Sequence, residues 1–279
     1  MNRKHRKSLK QYLAGPYLIW MTGFTIIPLF LIAWYGLTDA SGSFTLDNVL
    51  SIATPEHAKA LFLSLGLSLL STAICLLLAY PLAMILRKKN IGRGSFIVFI
   101  FILPMWMNFL LRTLAWQTLL EKNGVINGIL SALHLPNIAI INTPAAIVLG
   151  MVYNFLPFMI LPIYSVIVKL DHRLIEAARD LGADSVTVFR RVTLPLSLPG
   201  VLSGITMVFV PAVSTFAISH LLGGGKHLLL GNLIEMQFKG SAYNPYLGSA
   251  VALVMMVIVV ICMSVMNRFG EGEEQAVML

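Results

Sequence analysis

Six long apolar runs separated by short polar segments set the pattern of this chain. They cover Tyr12–Leu37, Leu61–Leu86, Ser95–Leu120, Thr143–Val168, Gly200–Leu222 and Leu247–Asn267, and Arg112 is the only full charge inside them. A hydrocarbon layer of about 30 Å is crossed by about 20 helical residues, so every run is long enough to span it. The runs are apolar all round, without the short alternating segments of a barrel, and this predicts helices facing lipid or a bundle interior. The expected fold is an all-α integral membrane protein with six transmembrane helices.

Composition supports that reading. Of 279 residues, 57% are hydrophobic and 11% charged, against about 25% charged in an ordinary soluble domain. So few charges cannot cover a water-soluble surface of this size, which excludes a typical soluble enzyme. Cys75 and Cys262 lie inside apolar runs and read as small buried hydrophobes, not as a metal or redox pair.

The net charge of +8 follows topology. The N-terminal arm carries Arg3, Lys4, Arg6, Lys7 and Lys10; the segment after the second run carries Arg87, Lys88, Lys89 and Arg93; the one after the fourth carries Lys169, Arg173, Arg179, Arg190 and Arg191. The alternate segments hold only Lys59, Lys122, Lys226 and Lys239. Lys and Arg accumulate on the cytoplasmic side, so both termini and the two basic loops are expected there, and no nucleic-acid partner is needed to explain the charge. The first run is too long, and too aromatic at Trp20, Phe24, Trp34 and Tyr35, for a cleaved signal peptide, and it reads as a retained anchor. The organisation expected is a cytoplasmic arm over 1–11, a six-helix domain over 12–267 that includes a cytoplasmic loop at 169–199, and a cytoplasmic tail over 268–279.

Pro28, Pro81, Pro104, Pro157, Pro162 and Pro211 punctuate the runs. Each removes a helical hydrogen bond, so kinks are expected, either as ordinary transmembrane tolerance or as part of a bundle that rocks between two shapes. Arg112 follows Asn108 by one turn and has Trp106 and Trp116 nearby. It either has a structural place, facing a partner helix or snorkelling toward the outer surface, or lines a solute path with Trp106, Asn108, Tyr153 and Asn154.

The 169–199 loop has its own pattern. Asp171 is placed to cap a short helix with Leu174, Ile175, Ala178 and Leu181 on its apolar side; Gly182 is placed to end it. A second helix is expected from Asp184, carrying Val188, Phe189 and Val192, with Pro195 and Pro199 suited to a helix start or an entry turn into the membrane. Such a pair presents an apolar ridge rimmed by charge, which fits a docking knob for another protein or an amphipathic helix lying on lipid.

Glu176-Ala177-Ala178, three residues, Gly182, nine residues, Val192, one residue and Leu194-Pro195 resembles the EAA loop of permease subunits of ABC importers, with Val in place of the usual Ile. The stretches from Tyr153 to Met159, Leu161 to Tyr164, Leu222 to Gly224 and Gly231 to Ile234 are similar to spermidine/putrescine permeases of the PotB type, and in part to permeases for sulfate, iron or phosphonate. The resemblance implies a MetI-like type I importer bundle in a bacterial cytoplasmic (inner) membrane. Its implied partners are a second permease of PotC type, a cytoplasmic ATPase dimer of PotA type that binds ATP and Mg, and an external polyamine-binding protein of PotD type. The loop would then be the coupling helix: Glu176 the charged anchor, Ala177 and Ala178 the small contact residues, Gly182 the turn, with Asp180, Leu181, Ala183, Leu194 and Pro195 completing the docking site.

No catalytic residue, cofactor or metal is expected in the chain itself. Gly225-Lys226 would need Gly at the position of His220 and Ser or Thr at that of His227 to make a P-loop, and no H-E-x-x-H or G-x-S-x-G occurs. A self-sufficient ion-coupled carrier is the competing class, but the runs contain no Asp or Glu to couple ions, and no repeat relates two halves.

Overall fold

The computed structural model describes residues 15–88, 103–240 and 243–277. Among them the structure is helical, with one isolated bridge between Thr38 and Phe44 and no extended strand. Ten helices are labelled here: α1 Gly15–Gly36, α2 Pro55–Lys88, α3 Phe109–Leu120, α4 Val125–Ala132, α5 Pro144–Lys169, α6 His172–Asp180, α7 Ser185–Ser214, α8 Ala217–Gly223, α9 Leu230–Lys239 and α10 Pro245–Val277. Among the described residues α1, α2, α5, α7 and α10 are long and apolar enough to cross a membrane.

Two of the expected runs are built differently. Residues 95–102 of the third lie outside the described residues. Beyond them, a helical turn at 103–106 gives way to Asn108, whose backbone is non-helical and whose Oδ1 accepts hydrogen bonds from Leu110 N (2.8 Å) and Leu111 N (3.3 Å). The run is therefore interrupted, and a new, capped helix of 12 residues starts at Phe109. The fifth run starts earlier than expected and ends sooner. Helix α7 begins in the loop at Ser185 and continues without a turn through Pro195 and Pro199 to Ser214; extended Thr215 then separates it from α8.

The prolines sit inside helices more often than they end them. Pro81, Pro157, Pro162, Pro199 and Pro211 all lie within continuous helix. Pro28 and Pro195 each follow a wide π turn, Thr22–Ile26 and Phe189–Thr193, closed by Ile27 N donating to Thr22 O and Leu194 N donating to Phe189 O. Widening the helix just before a proline relieves the clash of its ring with the preceding turn.

The chain divides into two compact units. One contains the described residues 15–57 and 233–257. Within it Tyr35 packs edge-on against Tyr246 with ring centroids 5.5 Å apart, and Asp39 organises a tight loop by accepting from Ser41 N, Ser41 Oγ and Ser43 N. The other unit runs from Ala58 to Asn232 and includes the last part of α10. Its core is the central helix α5, through Ile147, Met151, Met159, Ile160, Ile163 and Ile167, packed on Cys75, Ala79 and Ala83 of α2, Val208 and Ala212 of α7, and Ile218 and Leu222 of α8. Inside lipid, close packing holds helices together because apolar transfer contributes little there. At Gly200 of α7 a Cβ would lie 2.8 Å from the backbone oxygen of Pro162 on α5, so the two helices approach closely there.

Candidate functional site

The elbow between α5 and α7 is built by three local devices. Asp171 caps α6, its Oδ1 accepting from Arg173 N at 3.0 Å. Helix α6 ends at Gly182, held at φ +85° by Gly182 N donating to Arg179 O (2.8 Å) and Ala183 N donating to Ala178 O (3.1 Å). Asp184 then caps α7 by accepting from Thr187 N at 3.1 Å. The Thr187 side chain, followed by its backbone N–H, holds the Asp184 carboxyl below its usual value of 3.8.

Little of the motif is buried. Glu176 is exposed on α6 with its Oε1 3.0 Å from His172 Nδ1; Ala177, Arg179, Asp180 and Gly182 are exposed as well, and Leu181 is 90% exposed. Ile175 and Ala178 are half-buried, so the apolar side expected of α6 divides, with Leu174 and Leu181 turned outward. A groove of about 510 Å³ separates the two arms, lined by Ala178, Leu181, Ala183, Thr187, Arg191 and Val192. Leu194 and Pro195 lie beyond the π turn, within α7.

Three contacts from α2 reach this elbow, and sequence reasoning found none of them. Tyr80 Oη shares a 2.6 Å hydrogen bond with Ser197 Oγ, the Tyr80 ring meets Phe189 edge-on at 5.6 Å, and Arg87 Nη2 donates to Leu170 O at 3.0 Å. Arg87 entered the sequence reading only as a charge that sets topology. The one available signal for Tyr80 is a phenol beside Pro81 in an otherwise aliphatic stretch.

The five solute-path candidates do not converge on one polar cavity. Asn108 spends its side-chain oxygen as the cap of α3. Arg112 is 6% exposed, and its buried Nε and Nη1 have no hydrogen-bond partner. Asn154 is buried and donates to Gly150 O (2.9 Å) and Thr113 Oγ1 (3.4 Å). Tyr153 stacks edge-on against Trp116 at 5.3 Å and borders an apolar groove of about 610 Å³ that Leu67, Ile74, Val148 and Val152 also line. Trp106 is 77% exposed.

Comparison with known proteins decides the family. Residues 77–271 match the family described as binding-protein-dependent transport system inner membrane component. The chain belongs to that family. The match takes in the elbow and α5, α7 and α8, and it makes the chain a multi-pass permease of an inner membrane. The permease is 39% identical over 261 residues to the spermidine/putrescine transport system permease protein PotB of Haemophilus influenzae, covering 89% of this chain and 90% of that one. It is 38% identical over 247 residues to PotB of Escherichia coli K12, covering 86% and 90%.

Among solved structures, the permease resembles a chain of a bacterial alginate ABC transporter bound to its periplasmic protein, with TM-score 0.80, 18% identity and coverage of 95% and 94%. It also resembles the inward-facing MetNI methionine transporter, with TM-score 0.57, 20% identity and coverage of 77% and 95%. At these identities the likeness concerns the fold, which is the MetI-like bundle expected from the elbow motif.

Proposed function

We propose that this permease is one half of the translocation path of an ATP-driven importer for polyamines of the spermidine/putrescine class, and that its elbow docks on a cytoplasmic ATPase. The observation that carries the docking role is an exposed, doubly capped elbow whose second helix is continuous with a membrane-crossing helix. A flexible loop would absorb a push from below. A helical rod from Ser185 to Ser214 passes it on. The substrate class rests on the PotB relatives, which cover nearly all of this chain.

In this reading Glu176 and the small Ala177 and Ala178 face the ATPase, and Asp180, Leu181, Gly182 and Ala183 shape the knob that enters its groove. Leu194 and Pro195 join the knob to the membrane helix. ATP and Mg bind the partner, and this chain contributes no catalytic group. Closure of the ATPase dimer on nucleotide draws the knobs of two permeases together and turns an inward-open path outward; hydrolysis resets it. Moving such an equilibrium from 1:99 to 99:1 takes about 5.5 kcal/mol of differential binding.

The positive-inside pattern supports cytoplasmic placement of the 1–11 arm, the 169–199 loop and the 268–279 tail, around a 12–267 bundle in lipid. The full assembly would contain a second permease of PotC type, an ATPase dimer of PotA type and an external binding protein of PotD type. A polyamine carries several ammonium groups, which favour aromatic faces and are repelled by a fixed cation. Trp106 and Tyr153 therefore suit the path, whereas Arg112, Asn108 and Asn154 serve the bundle. The acids that attract the substrate would come from the partners, since the membrane-crossing runs of this chain have none.

The test is uptake of labelled spermidine and putrescine in cells lacking this chain and any parallel system, with ATPase activity of the reconstituted complex measured alongside. Loss of uptake, and polyamine-stimulated ATPase only when all subunits are present, is the expected result. Unchanged polyamine uptake with loss of sulfate, iron or phosphonate uptake would keep the permease and change its substrate.

A further inference from the structure

The elbow is attached to the rest of its unit at a particular place. Its entry is Leu170, the residue that ends α5, and its exit is the π turn Phe189–Thr193 that joins the short outer part of α7 to the membrane rod. A π turn is where the hydrogen-bond register of a helix changes, and so where a helix is most readily bent. Both places are held by one neighbour. Tyr80 and Arg87 are seven residues apart on α2, two helical turns, and so lie on the same face.

Tyr80 braces the exit from both sides of the π turn. Its ring packs edge-on against Phe189, the first residue of the turn, with an interplanar angle of 89°. Its hydroxyl bonds Ser197, just past the end of the turn, at 2.6 Å. Ser197 Oγ also donates to Leu194 O at 3.0 Å, which uses its single proton, so Tyr80 is the donor and Ser197 the acceptor. Ser197 is fully buried and Tyr80 is 9% exposed, so no water substitutes for either partner without the contact opening. Arg87 holds the entry by donating to Leu170 O, placing a cation at the C-terminal end of α5, where the helix dipole favours it.

We propose that Tyr80 and Arg87 are positioning residues that clamp the entry and the exit of the elbow to α2, so that displacement of the elbow moves α2 together with α7. This deepens the docking role proposed above and rests on it. Without the clamp, the π turn flexes, the ATPase turns over, and part of its stroke is absorbed before reaching the membrane. The clamp thus governs how much solute moves per ATP, and leaves docking itself unaffected.

The experiment uses the complete transporter in proteoliposomes. Spermidine imported and ATP hydrolysed are measured together for wild type, Tyr80→Phe, Ser197→Ala and the double variant, and heat stability of the assembled complex is recorded. Both single changes remove the hydroxyl bond and keep the packing. Each is expected to lower the import-to-hydrolysis ratio about fivefold, the size of losing one net hydrogen bond. The double variant should be no worse than either single one, and complex stability should be retained. Arg87→Met, which keeps the apolar stem, should lower the ratio in the same direction, and Arg87→Lys should recover part of it. An unchanged ratio in both single variants, with a coupled wild type, overturns the clamp alone. So does a parallel fall of uptake, hydrolysis and assembly. A wild type whose ATPase drives import of none of spermidine, putrescine, sulfate, iron or phosphonate overturns the docking role, and the clamp with it.

Discussion

His172 Nδ1 and Glu176 Oε1 lie 3.0 Å apart, one turn from each other on α6, with both side chains more than half exposed. The motif glutamate is therefore pre-oriented by a neighbour that the motif does not include. An exposed pair at this spacing contributes only about 0.3–0.5 kcal/mol. His172→Ala should leave thermal unfolding of the purified permease unchanged and lower uptake only modestly. Glu176→Ala, which removes the proposed anchor, should weaken capture of the ATPase by at least about tenfold, the scale of a central interface residue. Titrating the ATPase onto the detergent-solubilised permease pair separates the two.

Gly182 turns the elbow at φ +85° with no atom within 4 Å of a would-be Cβ. Space is not limiting there; backbone conformation is. A β-branched residue at such a φ costs about 1–2 kcal/mol or more, whereas Asn adopts it with less strain. Gly182→Asn should keep most uptake, Gly182→Ala should keep less, and Gly182→Val should lose nearly all of it while the bundle still folds. Uptake per molecule of permease, quantified in the same membranes, gives the ordering. Equal uptake in all three would mean the turn can be remade without its left-handed residue.

At Gly200 and Gly204 the limitation is reversed. A Cβ at Gly200 meets the Pro162 carbonyl at 2.8 Å, and one at Gly204 meets the Met159 sulfur at 2.7 Å. Backbone cannot move aside, but a methionine side chain has rotamers to spare. Gly200→Ala should destabilise the permease by about 1–3 kcal/mol, as overpacking does, and Gly204→Ala by less. The order of thermal midpoints in detergent checks it.

Much of the elbow was legible in the sequence because its devices are local: the caps Asp171 and Asp184 and the turn Gly182 each act within a few residues. The contact between Tyr80 and Ser197 spans 117 positions, and nothing in the local pattern of either residue announces it. The capping role of Asn108 is hidden for a different reason. Hydropathy registers only that the run stays apolar, so a polar residue inside it stands out as a candidate for the solute path, although Asn is also a strong helix cap. The helical continuity through Pro195 was hidden because a proline normally marks an end, and the π turn that accommodates it has no sequence signature of its own.

Asp184 links the elbow to pH. Its folded value lies below 3.8 because Thr187 stabilises the ionised form. A lowered folded value means that the cap's contribution is complete above the unfolded value and is lost as pH falls through the folded one. The start of α7 should therefore be protected from amide exchange equally at pH 5 and pH 7, after correction for intrinsic rates, and lose protection only below about pH 4. Asp184→Ala should show the unprotected level at every pH, and Asp184→Asn, which caps without titrating, should remove the acid transition.

On the opposite side of the unit, the segment joining α8 to α9 is pinned at several points. Asn142 N donates to Leu222 O at 2.9 Å, Leu230 N donates to Ser64 Oγ at 2.8 Å, and Asn232 accepts from Leu229 N at 3.1 Å. Gly224 sits at φ +59° with the Asn142 side chain occupying the place of a Cβ, and Asn142 itself adopts φ +63°. Gly224→Ala therefore meets two obstacles, a side chain in the way and a left-handed backbone that costs Ala about 1 kcal/mol or more. Asn142→Gly removes the first and suits its own positive φ, but does nothing for the second. Gly224→Ala should displace this segment and reduce uptake; the double variant with Asn142→Gly should recover part of it, short of wild type by the backbone cost alone. Restoration to the full wild-type rate would show that the backbone at Gly224 is free to rearrange. No recovery would show that the loss comes from the left-handed conformation and owes nothing to Asn142.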